Sequence, residues 1–376
     1  MQYRGLIFGL ILLLGLNSYG LAAKSAKFPP YQIQEVASDL NFPWSLAFLP
    51  DGGLLVTERT GKLKRVRKDG VYKLISGLPT DIYVKGQGGL LDIVLHPNFT
   101  SNSLLYISYA TGDDDKNALK VVRAKLIDNK LTDHLVVFTV TPYKSTPVHF
   151  AGRMAFLPDN SLLVTSGDGF DYREDAQRLN SLLGKTIRIN DDGSLPKNNP
   201  FVNEITGSPS NYVFSYGHRN HQGILYDPKR NMIFSNEHGP DGGDELNIIR
   251  KGLNYGWPVI TYGLDYIGSR ISPFTEYANM QQPILDWTPS IAPSGMAVHY
   301  GEMFKALNGD FLVSVLKFKE VRWVQMQGMK IVVQVSLFKE LEQRIRDVRV
   351  HTDGSIYILT DSENGKILRI TQKINV

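Results

Sequence analysis

Residues able to do chemistry are concentrated in a few short stretches of this chain. Val148-His149-Phe150-Ala151-Gly152-Arg153 places an imidazole just before a small-residue turn. There it suits a general base near neutral pH, although a lone histidine is more often structural. Ser215-Tyr216-Gly217-His218-Arg219-Asn220-His221-Gln222-Gly223 packs a guanidinium, two imidazoles and two amides between glycines. Arg219 beside Asn220 suits a planar, oxygen-rich ligand. The two histidines raise zinc, but no third ligand stands at a metal-site spacing. Gly86-Gln87-Gly88-Gly89 lets the backbone approach a ligand while Gln87 donates and accepts, although a plain tight turn fits the same residues.

Two further stretches add opposite charges. Glu237-His238-Gly239-Pro240-Asp241-Gly242-Gly243-Asp244-Glu245, continuing to Asn254-Tyr255-Gly256-Trp257-Pro258, offers carboxylates and turn carbonyls. Oxygen donors of this kind are what hard calcium prefers. The acidic spacing is not that of an EF-hand, and an ordinary acidic turn explains it as well. In Gln343-Arg344-Ile345-Arg346-Asp347, strand alternation puts Arg344 and Arg346 on one face and Asp347 on the other. Two guanidiniums on one face repel unless an anion or a carboxylate lies between them. Lys317 adds a cation at an apolar strand ending. Arg219, Lys317, Arg344 and Arg346 gathered at one channel would call for a polyanionic ligand.

Holding these stretches together requires a repeated scaffold. Short β-branched and aromatic runs separated by Gly, Pro, Asn and Asp dominate, which reads as all-β. They recur as a polar turn, an apolar strand, a second turn and another apolar strand. The strand pairs fall at 54–56 and 63–66, 104–107 and 119–126, 162–165 and 186–189, 232–234 and 245–249, 311–313 and 321–324, and 356–359 and 367–370. Their spacing of roughly 45 to 80 residues is the range of propeller blades with loop insertions. The expectation is a six-bladed β-propeller of four-stranded antiparallel blades, because radial closure solves the edge problem of each sheet. Residues 32–36 precede the first unit and are expected to pair with the last blade, closing the ring. A β-sandwich or two stacked β domains is the competing architecture.

Bulk properties bound the setting. One cation, Arg4, precedes an apolar run at 6–16, and small residues at Gly20, Ala22 and Ala23 lead to Lys24. That order predicts a signal peptide over 1–23 and a single domain over 24–376, exported to the periplasm or secreted. The run is shorter than the ~20 apolar residues of a membrane-spanning helix. The chain has no cysteine, which excludes disulfides and thiolate chemistry. Its net charge of +4 comes without a run of Lys and Arg interleaved with aromatics, so nucleic acid is not an expected partner.

In this order, "GQGGLLD", "HFAGR", "SYGHRN", "NEHGPDGGDE" with "NYGWP", "SIAPSG" and "QRIRDVR" resemble the soluble aldose sugar dehydrogenases and soluble glucose dehydrogenases. The resemblance covers about residues 41–370. It implies oxidation of an aldose sugar to a lactone with pyrroloquinoline quinone (PQQ), a tricyclic ortho-quinone bearing three carboxylates, and calcium. Lys317, Arg344, Arg346, Arg219 and Asn220 match positions that hold the quinone, and Gln87 matches an amide facing the same pocket. The carbonyls of Gly239 and Pro240 match calcium ligands beside it, and Glu245 with the Tyr255 carbonyl match a second, structural calcium site. His149 matches the base that takes the anomeric hydroxyl proton, and Arg219 stands with it at the reacting centre. Trp287 could be a stacking surface or a core residue. The chain departs from the pattern at Ala151, where glycine is usual, at His221 for proline, and at Asp241 for arginine. The resemblance names neither the sugar nor the electron acceptor, and it is compatible with a monomer or a homodimer.

Two rival functions use the same scaffold. A calcium-dependent lactonase would need side-chain carboxylates and amides converging on the metal, with no use for Lys317, Arg344 and Arg346 together. A peptide- or glycan-binding propeller would show exposed aromatics without a buried base.

Overall fold

A computed structural model describes residues 27–373. The expected signal segment over 1–23 lies outside the described residues. Strand β1 (Tyr31–Leu40) is followed by the first blade, β2 (Pro43–Phe48), β3 (Leu54–Glu58), β4 (Lys62–Val66) and β5 (Tyr72–Leu74). The second blade holds β6 (Leu90–Leu95), β7 (Leu104–Gly112), β8 (Asn117–Ile127) and β9 (Lys130–Thr139). Next come β10 (Ala151–Phe156), β11 (Leu162–Ser166), β12 (Lys185–Ile189) and β13 (Val213–Tyr216). The fourth blade is β14 (His221–Asp227), β15 (Met232–Glu237), β16 (Asp244–Ile249) and β17 (Leu285–Trp287). The fifth is β18 (Pro293–Val298), β19 (Phe311–Val315), β20 (Glu320–Gln327) and β21 (Lys330–Leu337). The last is β22 (Ile345–Val350), β23 (Ile356–Thr360) and β24 (Gly365–Gln372), completed by β1.

This is the six-bladed propeller the repeat predicts, with six antiparallel four-stranded sheets. Each strand pair read from the repeat is the second and third strand of one blade. The ring closes as residues 32–36 imply: Tyr31 lies opposite Gln372 and Ile33 opposite Ile370, antiparallel. The physical reason is visible in composition. Second strands are largely apolar because both faces are covered by neighbouring blades, as in the fully buried β11 and β19; third strands mix apolar with charged residues, as in β4 and β24. Outer strands alternate instead, as β21 does between exposed and half-buried residues.

The first strands of the blades, β2, β6, β10, β14, β18 and β22, contact one another around the ring and surround its axis. Paired charged side chains plug that axis. Arg153 Nη1 lies 3.3 Å from Asp347 and 3.5 Å from Asp92. Arg349 reaches the same two carboxylates at 2.8 and 3.3 Å. The Arg153 guanidinium stacks 3.9 Å from the Trp44 ring. Asp92 and Asp347 are fully buried, so this network is paired charge inside the protein. It makes a floor under whatever occupies the channel.

Candidate active site

Everything singled out as chemical sits at one end of the ring. The segments entering the first strands carry Gln87, His149, Arg219, Asn220 and Arg344, and Arg346 stands at the start of β22. The ends of the second strands, running antiparallel, reach the same rim with Glu58, Asp168, Glu237, Lys317 and Asp361. Between them lies a cavity of about 430 Å³, lined by Phe42, Trp44, Leu91, Phe150, Ala151 and Leu316 on its apolar side. Its polar side is Arg59, Gln87, Asn220, His238, Arg344, Arg346 and Asp361, with Gln222 and Ala292 completing the wall.

His149 stands against that cavity between Pro147–Val148 and the lining residues Phe150 and Ala151. Its backbone N–H donates to Gln87 Oε1 at 2.8 Å, and the Gln87 N–H donates to the Pro147 carbonyl at 2.8 Å. The Gly-rich turn thereby grips the histidine loop. His149 Nδ1 lies 2.7 Å from Asp168 Oδ1, and a carboxylate can only accept there, which fixes the tautomer with Nε2 unprotonated. The Trp257 indole N–H donates to Asp168 Oδ2 at 2.8 Å. Burial lowers the His149 pKa and outweighs the raising effect of Asp168, with Arg219 and Lys144 lowering it further. Burial alone would raise Asp168, but His149 and Arg219 hold its carboxyl below the usual range. The imidazole is therefore neutral, oriented and able to accept a proton at pH 7.

Arg219 is held by its surroundings. Its Nη1 donates to the Gly239 carbonyl at 2.5 Å, its Nη2 donates to the Tyr266 hydroxyl at 3.2 Å, and its guanidinium lies 5.3 Å from the Trp257 ring. Its Nε is buried without a hydrogen-bond partner. Asn220 faces the cavity and accepts from Gln222 at 3.2 Å.

Arg344 and Arg346 do share one side, and a carboxylate lies between them. Both donate to Asp361 Oδ2, at 3.1 and 3.0 Å. Burial would raise Asp361, yet Arg346 and then Arg344 outweigh it and hold its carboxyl low. Arg59 joins them, its pKa lowered by burial and by Arg346. The lining thus sets three guanidiniums against one carboxylate. Lys317 is not among the lining residues. It is exposed in the turn after β19, its N–H bonded to the Ile291 carbonyl at 3.2 Å, while its neighbour Leu316 faces the cavity. The apolar run suggested a strand ending, but the strand stops at Val315 and the chain turns.

The acidic stretch folds around Asp244. Its Oδ1 accepts from the Gly239 N–H at 2.8 Å, and its Oδ2 accepts from the N–H groups of Ile291 and Ala292 at 2.7 and 2.8 Å. Pro240 is buried in the same turn. Glu245 lies directly opposite Glu237 on one side and Asp286 on the other, so three carboxylates stand in a row across β15, β16 and β17. Burial and then Glu237 push the Glu245 carboxyl well above its ordinary range. Like charges so placed are destabilising unless a cation or a proton intervenes. Tyr255 stacks on His218 at 4.6 Å, and His218 Nδ1 lies 2.9 Å from Glu237.

His218, His221 and Glu237 form a buried group whose ligand atoms lie within 4.8 Å of one another. The third member comes from the neighbouring strand, which sequence spacing could not show. The imidazole centroids are only 4.0 Å apart, and His221 Nδ1 lies 2.8 Å from Ser235. Rings so close read as packed neutral imidazoles. Trp287 is a core residue: it is buried, and its indole N–H donates to Gln334 at 2.8 Å.

Sequence reasoning missed Asp168, Arg59 and Asp361. The available signal was positional. Each follows the second strand of its blade, the register at which Glu237 and Lys317 were noticed.

The fold and this site define a propeller enzyme whose candidate site residues are gathered at one end of its channel. The model of the Glucose / Sorbosone dehydrogenase family matches residues 40–369, and the chain belongs to this family of oxidoreductases. The chain is similar to the aldose sugar dehydrogenase YliI of Escherichia coli K12, at 38% identity over 97% of this chain and 98% of that one. The crystal structure of the soluble E. coli aldose sugar dehydrogenase in its apo form superposes with a TM-score of 0.87, covering 91% of this chain and all of the other. A PQQ-bound aldose sugar dehydrogenase from Streptomyces coelicolor matches at a TM-score of 0.74 and 29% identity, over 91% of this chain and 99% of that one.

Proposed function

We propose that this protein oxidises aldose sugars to lactones using PQQ and calcium, with His149 as the base. The observation that carries this reading is the His149–Asp168 pair, 2.7 Å apart, beside a cavity lined by three guanidiniums and aromatic walls.

The residues present fit the quinone. Arg59, Arg344 and Arg346 leave the lining positive after Asp361 is counted, which suits carboxylates. Trp44, Phe42 and Phe150 suit a flat ring system. The unpartnered Arg219 Nε and the Asn220 amide add polar contacts. Lys317 would join this set only if its side chain turned inward over Leu316. For calcium, the carbonyls of Gly239 and Pro240 are the right donor type, and Arg219 now holds the first. Calcium there would free that guanidinium for the quinone. Glu245, crowded by Glu237 and Asp286, and the Tyr255 carbonyl fit a second calcium, since a dication relieves the row of like charges.

When bound, the quinone supplies the acceptor for the electrons leaving the sugar, and calcium supplies Lewis acidity beside it. The protein's own part is proton transfer and placement. Asp168 keeps the Nδ1 proton of His149, so Nε2 takes the proton of the anomeric hydroxyl. Trp257 and Phe170, whose N–H groups both donate to Asp168, hold that carboxylate in line. Arg219 places positive charge beside the reacting centre. Gln87, bonded to the His149 backbone, keeps the base against the cavity. The apolar run at 6–16 with its small-residue boundary supports export.

The test is a reconstitution titration of the purified protein with PQQ and calcium, then a panel of aldoses with a dye acceptor. Tight binding with sugar-dependent dye reduction is expected, and R344Q/R346Q should weaken quinone binding. Absence of quinone binding would discard the reading and leave the lactonase first. An R344Q/R346Q variant with unchanged affinity would mean that the cations serve another ligand.

A further inference from the structure

We propose that His218, His221 and Glu237 form a buried binding site for one zinc-class divalent ion, set apart from any calcium site by its two nitrogen ligands.

The sequence shows two histidines three residues apart and no third ligand. Folding supplies one: Glu237 ends β15 directly opposite His221 at the start of β14. Each of the three buried side chains offers one ligand atom, and these atoms lie within 4.8 Å of one another. Ligand atoms around a tetrahedral zinc stand about 3.3 Å apart, so small side-chain movements close the site. His218 Nδ1 and Glu237 Oε1 are already 2.9 Å apart. The donor set selects the ion. Calcium takes a shell of oxygens, whereas two imidazoles and a carboxylate suit zinc. The Asn247 amide, 3.4 Å from the same Glu237 oxygen, or a water fills the fourth position.

The His221 ring is the part that no other role explains. Ser235 Oγ donates to the Gly223 carbonyl at 2.8 Å, so toward His221 Nδ1, also at 2.8 Å, it accepts. That hydrogen bond puts the ring proton on Nδ1 and leaves the lone pair on Nε2. Nε2 is buried without a hydrogen-bond partner. An orphaned buried acceptor is costly, and a metal ion satisfies it. That nitrogen, or Nδ1 after a half-turn of the ring, is the donor left for an ion. Burial, with His218 adding to it, brings the His221 pKa down to about 3, so the imidazole stays in the neutral form that metals bind. The chain departs from the family pattern at this same residue, with histidine where proline is common.

The surroundings complete the site. His218 Nε2 lies 2.9 Å from Ser215 Oγ, a hydroxyl able to accept the ring proton when Nδ1 binds a metal. The other Glu237 oxygen accepts from the Arg219 N–H at 2.6 Å. An ion at this place ties the end of β15 to the backbone of the segment that carries Arg219 and Asn220. Burial pushes the Glu237 carboxyl up, and a dication beside it restores the ionised form.

The test starts from protein purified from zinc-supplemented medium, since a site this buried fills as the chain folds. After dialysis against calcium, metal content is counted by plasma mass spectrometry. The parent should retain one zinc per chain. H221F, which keeps a ring against His218 without a ligand atom, should retain none, and neither should H221P, which restores the common family residue. Zinc should raise the melting temperature of the parent and leave that of H221P unchanged. A parent without zinc, or variants that retain as much as the parent, would overturn the site. Cobalt(II) gives a readout that needs no variant to fold. Protein produced with cobalt should show the intense visible bands of a four-coordinate ion with nitrogen ligands. A weak six-coordinate spectrum would also overturn the site. None of these readouts uses quinone or sugar, so the outcome is separate from that of the dehydrogenase reading.

Discussion

Orientation of a single imidazole decides the chemistry proposed for this chain. His149 sits at φ 51°, between a Gly-rich turn that holds its backbone and a buried carboxylate that holds its ring. H149N should cut turnover by about 10²–10⁴-fold while quinone still binds, the usual range for losing a general base. D168N should also lower kcat, because an amide there can favour the wrong tautomer, with the quinone affinity kept; a fall in affinity equal to the fall in kcat would make Asp168 structural only. Beneath the pair lies Lys144, buried, donating to Asn117 Oδ1 at 2.8 Å and lying 3.5 Å from the Phe150 ring. Burial brings its pKa from the ordinary 10.5 down to about 7. The unfolded chain therefore holds this proton between about 7 and 10.5 where the folded chain has released it, so stability rises with pH across that window. Thermal melts from pH 7 to 10 should show the rise, and K144M should flatten it; an unchanged slope would place the linkage elsewhere, with Lys185 the next candidate. At this scale the sequence was half legible. His149 announced itself beside a small-residue turn, whereas Asp168 in Ser166-Gly167-Asp168-Gly169 looks like any acidic turn until the blade brings it to the imidazole.

Strands were easier to read than the segments between them. Burial on both faces writes an apolar signature into β3, β7, β11, β15, β19 and β23, and the repeat of that signature gave the blade count. Loop positions depend on where the strand stops, and no local pattern marks this for Lys317, which lies just past the end of β19. The cation cluster was legible in type and incomplete in membership. Arg344 and Arg346 were found through alternation, but Asp361, the carboxylate between them, comes from the next strand and Arg59 from a different blade. Ala151 shows how an element tolerates a misfit. It occupies φ 56°, a left-handed conformation that costs an L-residue about 1–2 kcal/mol. The glycine usual at this place would adopt it without strain, at an entropic cost of about 0.5–1 kcal/mol. A151G should therefore gain about 0.5–1 kcal/mol in urea unfolding. A loss of stability would show that the Ala151 methyl, which lines the cavity, contributes more packing than it costs in strain.

The ring as a whole depends on a buried network that no single motif advertised. Arg153 and Arg349 share Asp92 and Asp347 at the axis, and these four side chains come from three different blades. Their pairing joins first strands that share no backbone hydrogen bonds. D347N should cost about 3–5 kcal/mol, the range for breaking a buried pair, with a lower melting temperature as the readout. A loss under about 1 kcal/mol would mean that Asp92 alone compensates both guanidiniums. The propeller itself was legible because six repeats must share one solution, while the axis was not, because charged pairs across blades leave no periodic trace.

The strand order of the last blade has another consequence. Tyr31 lies opposite Gln372, and the Lys373 N–H donates to the Pro30 carbonyl at 2.9 Å. The two ends of the ring are thus one hydrogen bond apart, and where the polypeptide starts is a matter of covalent connection more than of architecture. A circular permutant that links 373 to 30 and opens the chain in the turn at 68–70 would keep every strand pair while turning the β24–β1 closure into an ordinary hairpin. In the natural order that closure must wait until β24 has been made, long after β1. In the permutant it would form early, leaving a different seam to shut last.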